Sequence, residues 1–369
     1  MFPLLDSETP SLPPATRRGR SERTMEREIR VMDDLSSLSE EWDAYVAQQP
    51  EATFFHSMGW QRVIDRCFSY RPVRLAALEN GKITGVLPAF VTPQLPFGRA
   101  MISSPLAVYG GIAADDEATR QALLAEGQKQ ADDRRVRYLE MRNVEPVGDM
   151  PVKELYVTFR REISADHEEN LAAIPRKQRR MVRQGEKKGL TSEIGGAEFL
   201  DGFYDIYSGS VRNLGTPVFP KKLFRALLDE FGDACKILAV FHEGKMVAGV
   251  MTFFFRDQVL PYYGGALKEA FKLTVNDFMY WQLMCHAADE GYRVFDFGRS
   301  KQDTGPYRFK RHWGFEPEPL NYQYHLVTMR EMPDMSPKNP KFSMAIELWK
   351  KMPLRLTQWI GPSVVRYFP

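Results

Sequence analysis

Hydrophobic positions along this chain change period several times, and the changes recur in the same order twice. From Leu38 to Val46 the spacing is helical, with Trp42, Tyr45 and Val46 on one side after Ser39, and a second helix is predicted from Trp60 to Phe68 with Ser57 available as its cap. From Pro72 the period becomes extended. Val73–Leu78, the turn Glu79-Asn80-Gly81-Lys82 and Ile83–Val91 predict a β-hairpin, because Asn-Gly readily supplies the positive φ values of a type I′ turn. A further extended run over Met101–Tyr109 ends in Gly110-Gly111; a helix over Glu117–Gln130 and a strand over Val136–Arg142 follow.

The second half repeats this order. Phe224–Phe231 echoes Trp60–Phe68, and Leu238-Ala-Val-Phe-His-Glu-Gly-Lys-Met-Val-Ala-Gly-Val echoes Leu75-Ala-Ala-Leu-Glu-Asn-Gly-Lys-Ile-Thr-Gly-Val. Tyr263-Gly264-Gly265 matches Tyr109-Gly110-Gly111, helix Asn276–Glu290 takes the place of Glu117–Gln130, and Phe295-Asp296-Phe297 that of Leu139-Glu140-Met141. Matches in one order at an offset of about 155 to 165 positions imply two copies of one α/β unit. In the second helix, Asn276 is the expected cap, Asp277 suits the positive end of the dipole and Gly291 the stop.

The predicted division is a disordered leader over 1–28, a first domain over 29–160, a second over 161–330, and a Pro-rich linker with an amphipathic tail over 331–369. The second domain opens with a basic helix, 175–189, bounded by Pro175 and Gly189. At 100° per residue, Arg176, Arg179, Arg180, Arg183 and Lys187 share one stripe of that helix. A solvated face is the bland reading. Mutual repulsion of five cations, with Glu186 the acid nearby, favours a site for a phosphate-bearing ligand. For the tail, docking on the body is the bland reading, and contact with an acidic membrane surface through Lys350, Lys351, Arg355 and Arg366 is the sharper one.

Composition narrows the chemistry. Fifty basic residues face 48 acidic ones in 369, so any preference for polyanions must come from local clustering. Cys67, Cys235 and Cys285 are odd in number and form no Cys-x-x-Cys pattern, which argues against a disulfide framework and for a reducing cytoplasm. The longest apolar run, Val247–Phe255, is cut off by Arg256, so no membrane span is expected. The chain lacks a Gly-rich phosphate loop, a Gly-x-Gly-x-x-Gly, metal-spaced histidines and a Gly-x-Ser-x-Gly elbow, which lowers nucleotide-triphosphate, hydride-transfer, zinc and serine chemistry; no metal ligand set is predicted.

Candidate site residues concentrate between Phe295 and Tyr324: Phe-Asp-Phe-Gly-Arg-Ser-Lys, a polar loop, the basic helix around Tyr307-Arg-Phe-Lys-Arg-His-Trp-Gly-Phe, and a returning strand. With the helix–hairpin–strand–Tyr-Gly-Gly–helix–strand order in both halves, the chain resembles tandem GNAT-type acyltransferases of the FemAB-like kind. The resemblance is closer still to the FemAB-like proteins of bacterial exosortase/PEP-CTERM systems, through Ile174-Pro-Arg-Lys-Gln-Arg, Asn276-Asp-Phe-Met-Tyr-Trp281, Asp296-Phe-Gly-Arg-Ser-Lys301 and Trp313-Gly-Phe-Glu-Pro317. The resemblance covers roughly Ile29 to Thr328 and implies an α/β (α+β) fold of two GNAT-like domains, each a mixed sheet flanked by helices.

It further implies a cytoplasmic enzyme, peripheral at the inner face of the membrane if the tail makes contact, that moves an acyl or aminoacyl group onto an amine of a cell-envelope or exopolysaccharide precursor. The donor is a co-substrate, aminoacyl-tRNA or acyl-CoA, with no permanently bound cofactor; tRNA is an implied partner and DNA is not. The usual pyrophosphate motif is incomplete at both Gln302-x-x-Gly305-x-Tyr307 and Arg311-x-x-Gly314-x-Glu316, which weakens acyl-CoA. Such chemistry needs a base, an oxyanion site and a phosphate site. Strand alternation sets Asp296 opposite Phe295 and Phe297, making it the candidate base or orienting group, against a structural pairing with Arg299. Phe309 and Trp313 are expected on the buried side of the following helix. Tyr307, Lys310 and Arg311 are expected on the other, forming with Arg299 and Lys301 the oxyanion or phosphate cluster, Tyr307 as its catalytic member. The first copy keeps Glu140 without that cluster, so the second is the expected site and the cleft between the copies the default pocket. The alternative is a non-catalytic GNAT-fold module binding a polyanionic glycan or a nucleotide-sugar.

Overall fold

The computed structural model describes residues 27–32, 38–95, 98–333 and 340–369. In the first unit, β1 (Arg27–Met32) precedes α1 (Ser39–Gln48) and α2 (Met58–Cys67), followed by the hairpin of β2 (Arg71–Glu79) and β3 (Lys82–Pro93), then β4 (Arg99–Ser103), the short β5 (Ala113–Ala114), α3 (Glu117–Asp133) and β6 (Tyr138–Asn143). A connecting stretch carries β7 (Val152–Lys153), β8 (Tyr156–Thr158), β9 (Arg160–Glu162), α4 (His167–Ala173) and α5 (Arg176–Lys187). The second unit contains β10 (Leu190–Gly195), α6 (Leu200–Leu214), α7 (Lys221–Phe231), the hairpin of β11 (Cys235–His242) and β12 (Lys245–Phe255), β13 (Gln258–Ala266), α8 (Val275–Asp289) and β14 (Val294–Asp296). The chain ends with β15 (Ser300–Lys301), α9 (Gly305–His312), β16 (Glu318–Pro319), β17 (Asn321–Leu326), α10 (Pro340–Lys351) and α11 (Leu354–Val365).

The duplication expected from the sequence extends to local backbone detail. Asn80 and Gly81 turn the first hairpin at φ 51° and 79°, and Glu243 and Gly244 turn the second at 50° and 75°. Each hairpin also slips register once, between Ala77 and Leu78 and between Val240 and Phe241. In each unit a helical crossover returns the chain to a parallel pairing, β4 with β6 and β13 with β14. Opposite faces of the second sheet are covered by α6 and α8: Gly265 lies against Ile206 and Tyr207, while its neighbour Gly264 lies toward Tyr280. A Cβ at Gly265 would stand 2.9 Å from the Tyr207 Cα, so glycine is required for that approach.

Several expectations are revised. The leader expected over 1–28 lies outside the described residues except for Arg27 and Glu28, which already belong to β1. The extended run over Met101–Tyr109 stops at Ser103, where Pro105 and the positive φ of Ser104 and Leu106 break it. Asn276 is not a cap: α8 starts behind Thr274, at φ 61°, whose hydroxyl donates to the Met181 carbonyl instead. The tail forms two helices rather than one, parted at Pro353, and 334–339 of the linker lie outside the described residues.

The largest revision concerns the end of the 295–324 run. Strand β17 does not complete the second unit; it pairs antiparallel with β6 and β7 in the first sheet, whose order is β1-β2-β3-β4-β6-β17-β7 with β5 on β3. The second sheet, β10-β11-β12-β13-β14-β9, is completed by β9 from the connecting stretch. A third small sheet, β15-β8-β16, sits between. The units thus exchange edge strands across the expected boundary at 160/161. One core cluster also spans both, because the matched helices α2 and α7 pack on each other, with Phe54, Phe55 and Trp60 against Phe231, Phe253 and Tyr262.

Gln323 fixes the exchanged strand. Fully buried, it accepts from Asn143 Nδ2 at 2.8 Å and from the Val147 amide at 2.7 Å, and donates to the Val147 carbonyl at 3.0 Å. Gln323→Leu leaves those buried groups unpaired and is expected to cost on the order of 3 kcal/mol, read as a lower urea midpoint. Because the sheets interlock, a single transition should persist, reported together by fluorescence and far-UV circular dichroism.

Candidate active site

The two parallel strand pairs end differently. In the second unit β13 and β14 pair only through Gln258↔Val294 and Val259↔Phe295, then part; β13 also slips register between Tyr263 and Pro261, leaving Tyr262 as the bulged residue. In the first unit the corresponding mouth is closed by the chain itself, since the amides of Gly110 and Gly111 both donate to the Arg142 carbonyl at 3.2 and 3.1 Å. In the second unit the parted strands leave a cleft.

Its cavity of about 220 Å³ is lined by Pro261, Tyr262 and Tyr263 from β13, and by Phe297, Gly298 and Arg299 beyond β14. Leu106 and Val108 of the first unit, Phe219, and Phe368 and Pro369 of the tail close it. Tyrosine hydroxyls tie this wall together. Tyr262 donates to the Leu106 carbonyl at 2.6 Å, and Tyr322, delivered by the exchanged β17, donates to the Val108 carbonyl at 2.7 Å. The Tyr263 hydroxyl is buried without a hydrogen-bond partner. Burial and the neighbouring Tyr262 hold it well above the usual tyrosine range, so it remains a proton donor.

Asp296 sits 1% exposed behind the cleft. Its carboxylate accepts from the Gly298 amide at 2.7 Å, from the Tyr109 hydroxyl at 2.8 Å and from Thr158 Oγ1 at 3.3 Å. Burial raises its pKa, opposed by the Gly298 amide and by Tyr109. The partners are therefore Tyr109, Thr158 and Gly298, and not Arg299. Arg299 is exposed in the cleft, its guanidinium 4.6 Å above the Tyr156 ring and 5.7 Å from that of Tyr322, with Nη1 donating to the Tyr322 hydroxyl at 3.2 Å.

Lys310 is buried rather than displayed with Arg311. Its Nζ donates to the carbonyls of Phe297 and Gly298 at 2.8 Å and of Arg299 at 3.3 Å, so the three ammonium protons meet three carbonyls. Gly298, at φ 65°, turns the backbone so that these carbonyls converge. Burial pushes the Lys310 pKa down to about 7, against the pull of Asp296. Tyr307 shares this inner side, edge-on to Phe159 at 5.4 Å. Arg311 lies apart, on the exposed side and paired with Glu316, while Lys301 is half-buried on β15 opposite Tyr156. The expected five-residue cluster is thus divided: Arg299 in the cleft, Lys310 beneath its floor, Tyr307 beside Lys310, and Lys301 and Arg311 outside.

Helix α5 buries Gln178, Val182 and Gly185 against α8 and leaves Arg176, Arg179, Arg180, Arg183 and Lys187 around one open face. None of these five makes an ion pair among the described residues. The helix starts beside α9, where Gly314 meets Pro175. Sequence reasoning passed over Tyr262, Tyr322 and Arg142; the repeated Tyr-Gly-Gly pointed to Tyr109 and Tyr263 and not to these. Arg142, 3% exposed, donates from Nε to Glu140 at 2.9 Å and from Nη2 to the Pro369 oxygen at 2.8 Å, holding the tail in the cleft.

The family described as acetyltransferase (GNAT) domain matches residues 176–311. No curated protein matches the chain. Among solved structures, FemX is similar with TM-score 0.65 and 16% identity over 82% of this chain and 98% of that one. The C-terminal domain of a putative lysylphosphatidylglycerol synthetase from Agrobacterium fabrum is similar with TM-score 0.54 and 13% identity, over 85% and 96%. A conserved protein of unknown function from Bacteroides thetaiotaomicron gives TM-score 0.55 and 12% identity, over 81% and 100%. The chain therefore has the mixed α/β fold seen in FemX, with a GNAT-type acetyltransferase domain in its second unit.

Proposed function

We propose that the chain is an acyltransferase of the aminoacyl or acyl class, acting at the cleft where β13 and β14 part. The observation that carries this reading is the lining of the cleft, which brings together Tyr263, whose buried hydroxyl makes no hydrogen bond, and the exposed residue Arg299. A tetrahedral intermediate formed there develops negative charge on oxygen, and a preorganised protonated hydroxyl stabilises it without reorganisation. Arg299 serves the anionic part of donor or acceptor. Asp296 and Lys310 act as positioning residues, Asp296 by fixing the Gly298 amide and Tyr109, Lys310 by gathering the three carbonyls of the cleft floor.

The acceptor is an amine of a cell-envelope or exopolysaccharide precursor on the cytoplasmic side, in the bacterial exosortase/PEP-CTERM setting that the sequence resemblance implies. The donor is aminoacyl-tRNA or acyl-CoA. The unpaired cations of α5 favour a donor carrying many phosphates, which also keeps a second reading in view: a non-catalytic module that binds a polyanionic glycan or nucleotide-sugar. Incubating the protein with charged tRNA or acyl-CoA and amine-bearing precursors, and following the acceptor by mass, separates the two; donor left intact with every acceptor favours the binding module.

Tyr263→Phe is expected to lower kcat by about 10²-fold or more with little change in KM. Since the hydroxyl has no partner to lose, its removal should not destabilise the fold, and equal activity in the variant would exclude Tyr263 as the donor. Lys310 makes a prediction in pH. Between about 7 and its ordinary 10.5 the unfolded chain binds a proton that the folded chain has released, so stability rises with pH across that window. In Lys310→Met, denaturant titrations at pH 7 and pH 10 should differ by less than in the parent chain.

A further inference from the structure

Helices α10 and α11 both pack on α6, forming a two-helix layer over it. On the inner side Ile346 meets Gly215, Thr357 and Val365 are buried, Gly361 lies against Val218, and Gln358 donates to Asp205 at 3.1 Å. The outer side is apolar and uncovered: Met344 is 80% exposed, Leu348 65% and Trp359 78%, with Leu214 at the end of α6 68% exposed beside them. Large side chains at such exposure, gathered on one layer, mark a surface that something covers.

The charge around this layer selects the occupant. From Leu348 to Pro369 the chain has four cations, Lys350, Lys351, Arg355 and Arg366, and no carboxylate. Lys350 pairs with Glu347, but Lys351 and Arg355 are exposed and make no ion pair among the described residues. Each helix has 12 residues and none in the described chain is long and apolar enough to cross a bilayer. A short helix pair with Trp, Leu and Met outward and unopposed Lys and Arg at its rim suits the headgroup boundary, where tryptophan and basic side chains reside.

We propose that the outer face of α10 and α11 docks on a membrane leaflet containing anionic lipid. Tyr367, Phe368 and Pro369 continue from α11 into the cleft, with Tyr70 donating to the Arg366 carbonyl and Arg142 to the Pro369 oxygen, both at 2.8 Å. The docked layer therefore adjoins the cleft mouth. If transfer takes place in that cleft, as proposed above, the acceptor it meets is lipid-linked. The cations of α5 lie on the α8 side of the second sheet, away from α6, so the two basic surfaces face different sides of the molecule.

Sedimentation of the full chain with vesicles of phosphatidylcholine, alone or mixed with phosphatidylglycerol, tests the docking. Binding to the anionic vesicles is expected, weakening with salt, with a blue shift in tryptophan emission that Trp359→Phe removes. The triple variant M344S/L348S/W359S should lower vesicle affinity at least ~10-fold while leaving the melting temperature and transfer to a soluble amine acceptor unchanged. Absent binding, or equal binding by the triple variant, overturns the proposal. So does a parent dimer that the triple variant dissociates, which assigns the face to a second copy, or saturable capture of an acidic protein without lipid binding. Loss of soluble transfer in Tyr263→Phe with vesicle binding retained bears on the transfer reading alone.

Discussion

A carboxylate buried between two structural units must be satisfied from both, and Asp296 is. Its oxygens take the Tyr109 hydroxyl from the first unit, Thr158 from the connecting stretch and the Gly298 amide from the cleft wall of the second. Losing any one donor would leave part of a carboxylate desolvated without compensation. This junction fixes the distance between the Tyr-Gly-Gly loop of one unit and the parted strands of the other. Through Gly298 it also fixes the carbonyls that Lys310 gathers.

The two copies have diverged at one place in particular. After β4 the chain turns at Ser104 and Leu106 and folds its glycines back onto the Arg142 carbonyl, bridging the gap past the parallel strands and leaving only a cavity of about 120 Å³ beside Tyr109 and Asn143. After the equivalent point β13 continues through Tyr263-Gly264-Gly265 as strand, and the opening remains. The freed loop of the first unit then serves the second: Leu106 and Val108 become cleft wall, and Tyr109 becomes the partner of Asp296. One copy supplies the opening and the other closes its side.

What was legible in the sequence is what depends on local pattern. The hairpins, their two-residue turns, the crossover helices and the Ser57 cap follow from spacing and turn chemistry, and comparing the halves found the duplication because each half repeats that pattern. What was not legible is pairing between distant strands. Asn321–Leu326 reads as a strand in either unit, since burial on a sheet leaves the same alternation whichever sheet receives it. The same limit hid the fate of Lys310. A helical wheel places it beside Arg311, but whether a lysine faces water or a ring of carbonyls depends on Gly298 and on the segment from Tyr156 to Phe159 folding over α9. Tyr263 was visible as a repeated motif, yet the missing partner of its hydroxyl is a property of the assembled cleft.

The exchanged strands also constrain how anything enters. Parting the two units would break the ladder of β17 on β6, that of β9 on β14, and the core shared by α2 and α7, so a hinge between the units is a costly way in. Tyr262 and Tyr322 bind the remaining walls to the first-unit loop through backbone carbonyls. Phe368 and Pro369 belong to no sheet, and hydrogen bonds from Arg142 to the Pro369 oxygen and from Tyr70 to the Arg366 carbonyl hold that segment in place. Freeing that short segment costs a few contacts, whereas separating the sheets costs the fold. The tail is therefore the cleft wall least tied to the sheets, and its path runs from the helix layer that carries Trp359.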